Sequence, residues 1–312
     1  MTPDTFRNAL VLTGPTGSGK SALAVELAER LGAEVVSMDS MALYRGMDVG
    51  TAKPDADQRR RVPHHLIDVL DPWESASVAW WLARAAECVR EIEGRGRRAL
   101  VVGGTPLYLK ALLHGLFDGP PADPELRQRL TEEAERLGGA ALHARLAVVD
   151  PASAARLHPN DVRRVVRALE VWQLTGRPLS AWQTQWSIPV LSTQYSVLGT
   201  PRVLCLDVPR DELYARIDAR VVQMFGAGLL DEAAALRRLP RPLSREAAKA
   251  VGYAEAFACL DGRATRDQTI RLVQTRSRQL AKRQLTWFRQ MPACRPATRE
   301  LTFGLWGSTM GN

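Results

Sequence analysis

The clearest chemical signal in the sequence is a phosphate-binding loop near the N-terminus. Glycines let successive backbone N–H groups curl around phosphate oxygens, a lysine adds a mobile cation, and a final hydroxyl can bind Mg²⁺. The loop matches G-x-x-x-x-G-K-[ST] at every defined position and comprises Gly14, Pro15, Thr16, Gly17, Ser18, Gly19, Lys20 and Ser21. Because the loop grips phosphates whatever is attached to them, it predicts a phosphate ligand but does not distinguish ATP from another diphosphate.

A carboxylate, Asp39, follows the second apolar run of the chain, which extends from Ala33 to Met38. At the sheet edge that carries the phosphate loop, it could accept a proton from a nucleophile or bind a metal through water. It could also simply cap a turn. NTP-hydrolysing enzymes usually hold their metal with an acid after a further strand, but residues 101–105 read Val-Val-Gly-Gly-Thr. NTP hydrolysis is therefore not favoured.

A parallel sheet is needed to bring these residues together. Short apolar runs at residues 9–13, 33–38 and 99–102 alternate with helical patterns, including an amphipathic one from Val78 to Ile92. This alternation predicts an α/β fold in which helices cover both faces of a parallel sheet. Ligands in such folds bind at the carboxyl ends of the strands.

The central part of the chain has a different pattern. After the break at Asp118-Gly119-Pro120-Pro121, helical patterns follow over residues 125–137, 140–149 and 161–174, and the next strand-like run begins at Arg202. We therefore predict a core made of residues 1–118 and 196–312, interrupted by a helical insertion at residues 119–195.

Composition excludes several classes of protein. With 312 residues and 46% hydrophobic content, the chain can bury a large core. It contains no apolar run of the ~18–20 residues that a bilayer span needs, and its N-terminus lacks the basic stretch of a secretion signal. Its cysteines are scattered without metal-binding spacing, at positions 88, 205, 259 and 294. We expect a cytoplasmic protein with reduced thiols, without a zinc site or membrane contact.

The formal net charge of +8 comes mainly from arginine, which suits forked contacts with phosphate. A GC-rich genome could explain the total, so the positions of the arginines matter more. One cluster lies on the predicted helix of the insertion, and a second at residues 271–289 contains no acidic residue and ends beside Trp287 and Phe288. A basic helix with aromatics fits RNA contact, although both rings could instead belong to the core.

Taken together, the chain resembles the bacterial tRNA dimethylallyltransferase family. The resemblance covers about 275 residues and comprises, in order, the phosphate loop 14–21, Asp39-Ser40, Tyr44 to Pro54, His64 to Asp68, Gly103 to Tyr108, His158 to Asp161, Arg167 to Glu170, and Gln284 to Arg289.

The resemblance implies a fold similar to that of P-loop kinases, with the helical insertion at residues 119–195 contacting tRNA. It also implies an activity and roles for individual residues. The family transfers the dimethylallyl group of dimethylallyl diphosphate to N6 of the adenine beside the anticodon of tRNA, and its loop holds the diphosphate with Mg²⁺. By resemblance, Asp39 is the general base, Lys20 and Arg220 neutralise the leaving diphosphate, Ser21 binds the metal and Thr105 lies near the adenine. Implied contacts with the anticodon stem-loop are Asp39, Ser40, Met41, Ala42, Thr105, Arg163, Arg164, Val165, Val166 and Arg167.

Three alternatives stay open. A small-metabolite kinase could use the same loop and Asp39, although it would not need arginine clusters, and competition between ATP and dimethylallyl diphosphate would distinguish it from a prenyltransferase. A prenyltransferase acting on free adenosine phosphates is a closer relative, but the helical segments that resemble the tRNA enzymes count against it. An RNA-binding module without activity is disfavoured by the intact Lys20, Ser21 and Asp39. We expect the enzyme to act as a monomer.

Overall fold

A computed structural model describes residues 3–117, 119–183, 196–197 and 200–307. The chain divides into two compact units, one comprising Met1–Leu113 with Leu191–Asn312, and the other His114–Val190. We call them the core unit and the helical unit. The boundaries expected from the sequence adjoin residues 118 and 195, which lie outside the described residues, so these boundaries stay a prediction.

The core unit is built on a six-stranded parallel sheet, which confirms the predicted α/β class. The strands are β1 (Leu10–Thr13), β2 (Ala33–Ser37), β3 (His64–His65), β4 (Arg98–Gly103), a two-stranded antiparallel pair β5 (Ser196–Val197) and β6 (Thr200–Pro201), then β7 (Val203–Leu206) and β8 (Arg295–Ala297). The order in the large sheet is β3-β2-β4-β1-β7-β8. Strand β4 therefore lies between β1 and β2, and the carboxyl ends of these three parallel strands meet at one edge.

The helices are α1 (Lys20–Leu31), α2 (Ala56–Arg61), α3 (Val78–Gly94), α4 (Pro106–His114), α5 (Pro124–Leu137), α6 (Gly139–Val149), α7 (Pro151–Ala154), α8 (Val162–Thr175), α9 (Leu179–Trp182), α10 (Arg210–Gly226), α11 (Leu229–Arg237), α12 (Tyr253–Leu260), α13 (Arg266–Arg289) and α14 (Arg299–Gly307). Short 3-10 turns lie at Pro3–Phe6 and Ala247–Lys249.

Both faces of the sheet are buried. Leu10, Leu12 and Leu204 pack with α1 and Trp306 in one cluster. The intervening Val11 and Val203 point to the opposite face because side chains alternate along a strand, and they are also fully buried. Helix α3 contacts β2 and β4, and this sandwich fixes the loops at the strand ends.

The helical unit has a hydrophobic core of its own. Leu130, Leu146 and Leu169 lie on α5, α6 and α8, and they pack together in one buried cluster. A buried carboxylate, Glu170, also lies in this unit, where it accepts hydrogen bonds from the Asp123 N–H (2.8 Å) and from Arg167 (2.6 Å). The three long helices predicted for the insertion are confirmed, with ends that differ by one residue.

Candidate active site

The phosphate loop joins β1 to α1, as the sequence predicted. Gly17 and Gly19 have φ angles of 83° and 84°, in the left-handed region that favours glycine. A Cβ on Gly17 would also lie 2.7 Å from Ile217 Cγ1, so α10 packs closely beneath the loop. The Thr13 hydroxyl donates to the Gly103 carbonyl (2.8 Å), which ties β1 to the end of β4.

Lys20 begins α1, and its ammonium is enclosed by the loop. The ammonium donates to the Pro15 carbonyl at 3.3 Å. Burial lowers the pKa of Lys20 to about 8, an effect that the carboxylate of Asp39 opposes and the charge of Arg220 reinforces. Burial favours the neutral amine because the charged form loses hydration. An anionic ligand would restore the preference for the ammonium.

Arg220 projects from α10 into the same place. Its guanidinium donates to the Thr16 hydroxyl, and burial lowers its pKa while the charge of Asp39 opposes that change. Within the described residues, Arg220 Nε and Ser18 Oγ are buried without a hydrogen-bond partner. Buried polar groups are normally paired, and Arg220 also lines the cavity of the site, so its unpaired Nε indicates a place for an anionic ligand beside the loop.

Asp39 lies at the carboxyl end of β2, and its Oδ1 accepts the backbone N–H of Met41 at 2.9 Å. This is the turn-capping contact that sequence reasoning kept as the alternative for this residue. The next residue, Ser40, donates its backbone N–H to Thr105 Oγ1 at 3.1 Å. The Asp39 turn and the loop after β4 are thus held together, and Asp39 also influences the pKa values of Lys20 and Arg220 across the site.

These groups share one cavity of about 360 Å³ in the core unit. Its wall brings together nine of the residues that were predicted for diphosphate, metal and adenine: Thr16, Lys20, Ser21, Asp39, Ser40, Met41, Ala42, Thr105 and Arg220. The other predicted residues of the phosphate loop do not line it: Gly14, Pro15, Gly17, Ser18 and Gly19. Apolar side chains form another part of the wall, among them Met224, Val273 and Leu280. The cavity therefore offers cations, one carboxylate and an apolar surface together.

Gln284 is a further site residue, to which sequence reasoning assigned no role. It lies on α13 and its side chain is buried, with an exposed fraction of 8%. Its Oε1 accepts the backbone N–H of Thr16 (2.8 Å), and its Nε2 donates to the Gly104 carbonyl (2.7 Å). The only available signal was its inclusion in a segment that carried the family resemblance.

Glu232 on α11 is a second such residue, and it holds one wall of the cavity. Its carboxylate accepts three successive backbone N–H groups, those of Asp48 (2.7 Å), Val49 (2.8 Å) and Gly50 (3.0 Å), and the hydroxyl of Tyr253 (2.7 Å). Gly50 lines the cavity. Nothing in the local sequence distinguishes Glu232 from a carboxylate on an exposed helix face.

The RNA contacts implied for α8 require a correction. Arg163 and Arg164 are exposed, as a phosphate contact requires. Val165 and Val166 instead lie in the core of the helical unit, with exposed fractions of 0% and 5%. Their side chains cannot reach a ligand on the surface, so we do not retain a side-chain contact with RNA for either valine.

The side chain of Arg167 makes its hydrogen bonds within the helical unit. It donates to the buried carboxylate of Glu170 at 2.6 Å and to the Pro120 carbonyl at 2.9 Å. These contacts provide a structural role for Arg167 that sequence reasoning did not anticipate. Arg167 is half-buried, whereas Arg163 is exposed.

Helix α13 carries exposed cations beside a buried face. Arg271, Lys282, Arg283 and Arg289 are exposed, and Arg283 also lines the cavity. Phe288 is buried, with an exposed fraction of 2%, so this ring belongs to the core rather than to a stacking surface. In the described part of the chain, no helix combines the length and apolarity needed to cross a bilayer.

The chain is similar in sequence to two protein families. Residues 42–291 match the family described as IPP transferase, and residues 7–64 match that described as isopentenyl transferase. The tRNA dimethylallyltransferase of Geobacter metallireducens is 47% identical over 281 residues, with 90% of this chain and 89% of the relative covered. That of Anaeromyxobacter dehalogenans strain 2CP-C is 49% identical over 286 residues, with 90% and 91% covered.

Solved structures with a similar fold come from proteins with the same kinds of names. The tRNA isopentenylpyrophosphate transferase of Bacillus halodurans aligns with a TM-score of 0.65 at 41% identity, covering 94% of this chain and 90% of that one. A eukaryotic dimethylallyltransferase, solved in states acting on tRNA, aligns with a TM-score of 0.74 at 26% identity, covering 95% and 75%. Sequence and fold therefore agree over nearly the whole chain.

Proposed function

The chain belongs to the IPP transferase family, and we propose that it transfers the dimethylallyl group of dimethylallyl diphosphate to N6 of the adenine beside the anticodon in tRNA, releasing diphosphate. The main support for this proposal is the set of side chains that line the cavity described above. Lys20 and Arg220 meet at the phosphate loop, while Asp39 lies at the carboxyl end of β2, which β4 separates from β1 in the same sheet. A transfer reaction needs this combination, because a leaving anion and a departing proton must be accepted together.

The nucleophile in this reaction is the exocyclic amine of adenine. Its N6 forms a bond to C1 of the donor while the bond between C1 and the diphosphate oxygen breaks, and the electron pair leaves with the diphosphate. We assign Asp39 as the general base that accepts the N6 proton. Its Oδ1 is held by the Met41 N–H, which fixes the carboxylate orientation and leaves Oδ2 for the amine.

Charge on the leaving group is the main electrostatic problem, because it grows as the C–O bond breaks. We assign its stabilisation to Lys20, Arg220 and the backbone N–H groups of the phosphate loop. Both cations are desolvated, so their attraction for the diphosphate is weakened less by water than at an exposed site. The unpaired Nε of Arg220, which lines the cavity, supplies an additional polar contact.

We propose Mg²⁺ as the metal, with Ser21 as its protein ligand. Mg²⁺ prefers oxygen ligands and commonly combines one or two protein oxygens with substrate phosphates and water. The Ser21 hydroxyl and the Asp39 carboxylate lie in the same cavity wall, and the described residues contain no cluster of three or more acidic, histidine or cysteine ligands. This donor set fits a metal that arrives with the diphosphate and supplies charge neutralisation there.

We assign the binding of RNA to exposed basic side chains. We propose that Arg163 and Arg164 on α8, and the exposed basic residues of α13, contact phosphates of the anticodon stem-loop. An adenine must be unstacked before its amine can enter a protein cavity. We assign its binding to residues Ser40 to Ala42 and Thr105, a proposal supported by their position in the cavity wall. With tRNA as the substrate, we place the reaction in the cytoplasm, catalysed by a monomer.

Incubation of purified protein with tRNA and labelled dimethylallyl diphosphate tests the proposal. We expect label in the RNA at the adenine beside the anticodon, mapped by mass after nuclease digestion, with one diphosphate released per group transferred. Unlabelled ATP should compete poorly with the donor. Phosphorylation of a small metabolite from ATP, without labelled RNA, would favour the kinase alternative.

A further inference from the structure

Gln284 is a buried amide on a face of α13 that is otherwise mostly apolar or weakly polar. The buried positions of this helix include Val273, Ala281 and Phe288, which recur at helical spacing. A polar side chain at such a position costs free energy unless both of its hydrogen-bonding groups are satisfied. The amide of Gln284 satisfies them with two backbone groups of separate loops, at 2.8 Å and 2.7 Å.

The two loops that Gln284 joins have different roles in the proposed reaction: one binds the leaving diphosphate, and the other holds the turn that contains the general base. Thr16 belongs to the phosphate loop, where its hydroxyl also meets Arg220. Gly104 directly precedes Thr105, whose hydroxyl accepts the N–H of Ser40 beside Asp39. A continuous set of hydrogen bonds therefore runs from the diphosphate side, through the amide of Gln284, to the turn that presents the base.

The local backbone accommodates this amide closely. A Cβ on Gly104 would lie 2.7 Å from Gln284 Nε2 and 3.5 Å from Lys20 Nζ. A side chain at position 104 would therefore collide with the amide that bridges the loops. Glycine is required here for the close approach of Gln284, rather than for an unusual backbone conformation.

We propose that Gln284 is a positioning residue, which fixes the phosphate loop against the loop of Thr105 and so aligns C1 of the donor with the adenine amine. This inference rests on the proposed function. In-line transfer depends steeply on alignment, and a displacement of ~1 Å can cost about 100-fold in rate. A misaligned donor can still lose its diphosphate to water, giving dimethylallyl alcohol, diphosphate and a proton.

The test compares Gln284→Met, which keeps the side-chain volume but removes both hydrogen bonds, with Gln284→Glu, which keeps the link to Thr16 but cannot donate to Gly104 when ionised. We expect transfer to fall ~10–100-fold in both variants. Donor affinity should change much less than transfer in Gln284→Met, which adds no charge beside the diphosphate, whereas the carboxylate of Gln284→Glu should also weaken donor binding by repulsion. Exposed Gln279 on the same helix provides the control variant Gln279→Met.

The decisive readout is the ratio of dimethylallyl alcohol to prenylated tRNA, because this ratio does not depend on how much of the protein is folded. We expect it to rise about as much as transfer falls in Gln284→Met, and to be unchanged in Gln279→Met. A proportional loss of both products would reduce Gln284 to a structural role and overturn the inference. Absence of transfer by the wild-type protein would instead contradict the proposed function itself.

Discussion

At the scale of single residues, Asp39 is the group on which the proposed chemistry depends most. Replacement by Asn keeps the size of the side chain and its contact with the Met41 N–H but removes the ability to accept a proton. We expect transfer by Asp39→Asn to fall ~10²–10⁴-fold, the usual contribution of a general base. Single-turnover measurement with saturating donor and tRNA gives this rate directly.

Donor binding serves as the control for that substitution. Calorimetric titration should give Asp39→Asn an affinity for dimethylallyl diphosphate equal to or tighter than that of the wild type, since a negative charge near the diphosphate has been removed. Asp57→Asn, at an exposed position of α2, should leave both quantities unchanged. Retention of wild-type transfer by Asp39→Asn would reject the assignment of the base.

Lys20 leads to a prediction about pH. Its pKa in the free protein is lowered to about 8 by burial, and bound diphosphate favours the protonated form. Binding must therefore take up a proton above this pH, and the dissociation constant for the donor should increase as pH rises from about 7 to about 9. Titration calorimetry in buffers of different ionisation enthalpy measures both the affinity and the proton uptake.

Lys20→Arg is the matched control, because arginine keeps its charge throughout this pH range. Its affinity for the donor is expected to be weaker overall, since the guanidinium does not fit the enclosed space of the ammonium, but nearly independent of pH. If the pH dependence of the wild type persisted unchanged in Lys20→Arg, a group other than Lys20 would be responsible for it.

Secondary-structure elements with a local sequence signal were predicted correctly, whereas short strands and contacts between distant parts of the chain were not predicted. The unit of β1, phosphate loop and α1 is continuous in sequence, so its pattern of apolar residues and glycines was sufficient. Strands β3 and β8 contain two and three residues, too few for a periodic signal. Gln284 and Thr16 are separated by 268 positions, and no local pattern reports such a contact.

Helix α8 shows the same limit within one element. Five successive residues, 163–167, were assigned to RNA by resemblance, but a helix turns through a full circle in 3.6 residues. Consecutive positions therefore cannot all face one ligand. The structure directs Arg163 and Arg164 outward and buries Val165 and Val166, while Arg167 is drawn to the buried carboxylate of Glu170.

Arg163 and Arg167 were both predicted to contact RNA, but their different surroundings lead to different expected effects of substitution. Arg163→Ala should weaken tRNA binding, because it removes an exposed cation available to phosphate, and should leave the stability of the protein unchanged. Arg167→Ala should lower the free energy of unfolding by about 1–3 kcal/mol, because the buried Glu170 loses one hydrogen-bonded partner. Filter binding and urea denaturation measure the two effects.

The donor affinity of both variants should equal that of the wild type, since neither arginine belongs to the core unit. Arg127 also forms an ion pair with Glu170 at 2.8 Å, so Glu170 keeps one charged partner in Arg167→Ala. For this reason the expected decrease in the free energy of unfolding is smaller than for a buried carboxylate left without any partner. A large loss of stability in Arg163→Ala, with none in Arg167→Ala, would contradict the roles assigned here.

For the molecule as a whole, the net charge of +8 becomes informative once the cations are sorted by location. Lys20 and Arg220 are desolvated in the cavity, whereas Arg163, Arg271, Lys282 and other basic residues are exposed. Screening by salt acts strongly on exposed charges and weakly on buried ones. The two proposed substrates should therefore respond differently to ionic strength.

We expect tRNA affinity to fall steeply and linearly on a log–log plot as salt increases from ~50 to ~200 mM, with a slope near −0.7 for each phosphate contacted in a single-stranded loop. Binding of dimethylallyl diphosphate over the same range should change only a few-fold, because the loop and its buried cations make most of the contacts. Calorimetry for the donor and filter binding for tRNA measure both slopes. Arg163→Glu should make the tRNA slope shallower and leave the donor slope unaltered, whereas equal slopes for the two ligands would place the diphosphate on the exposed basic surface and not in the cavity.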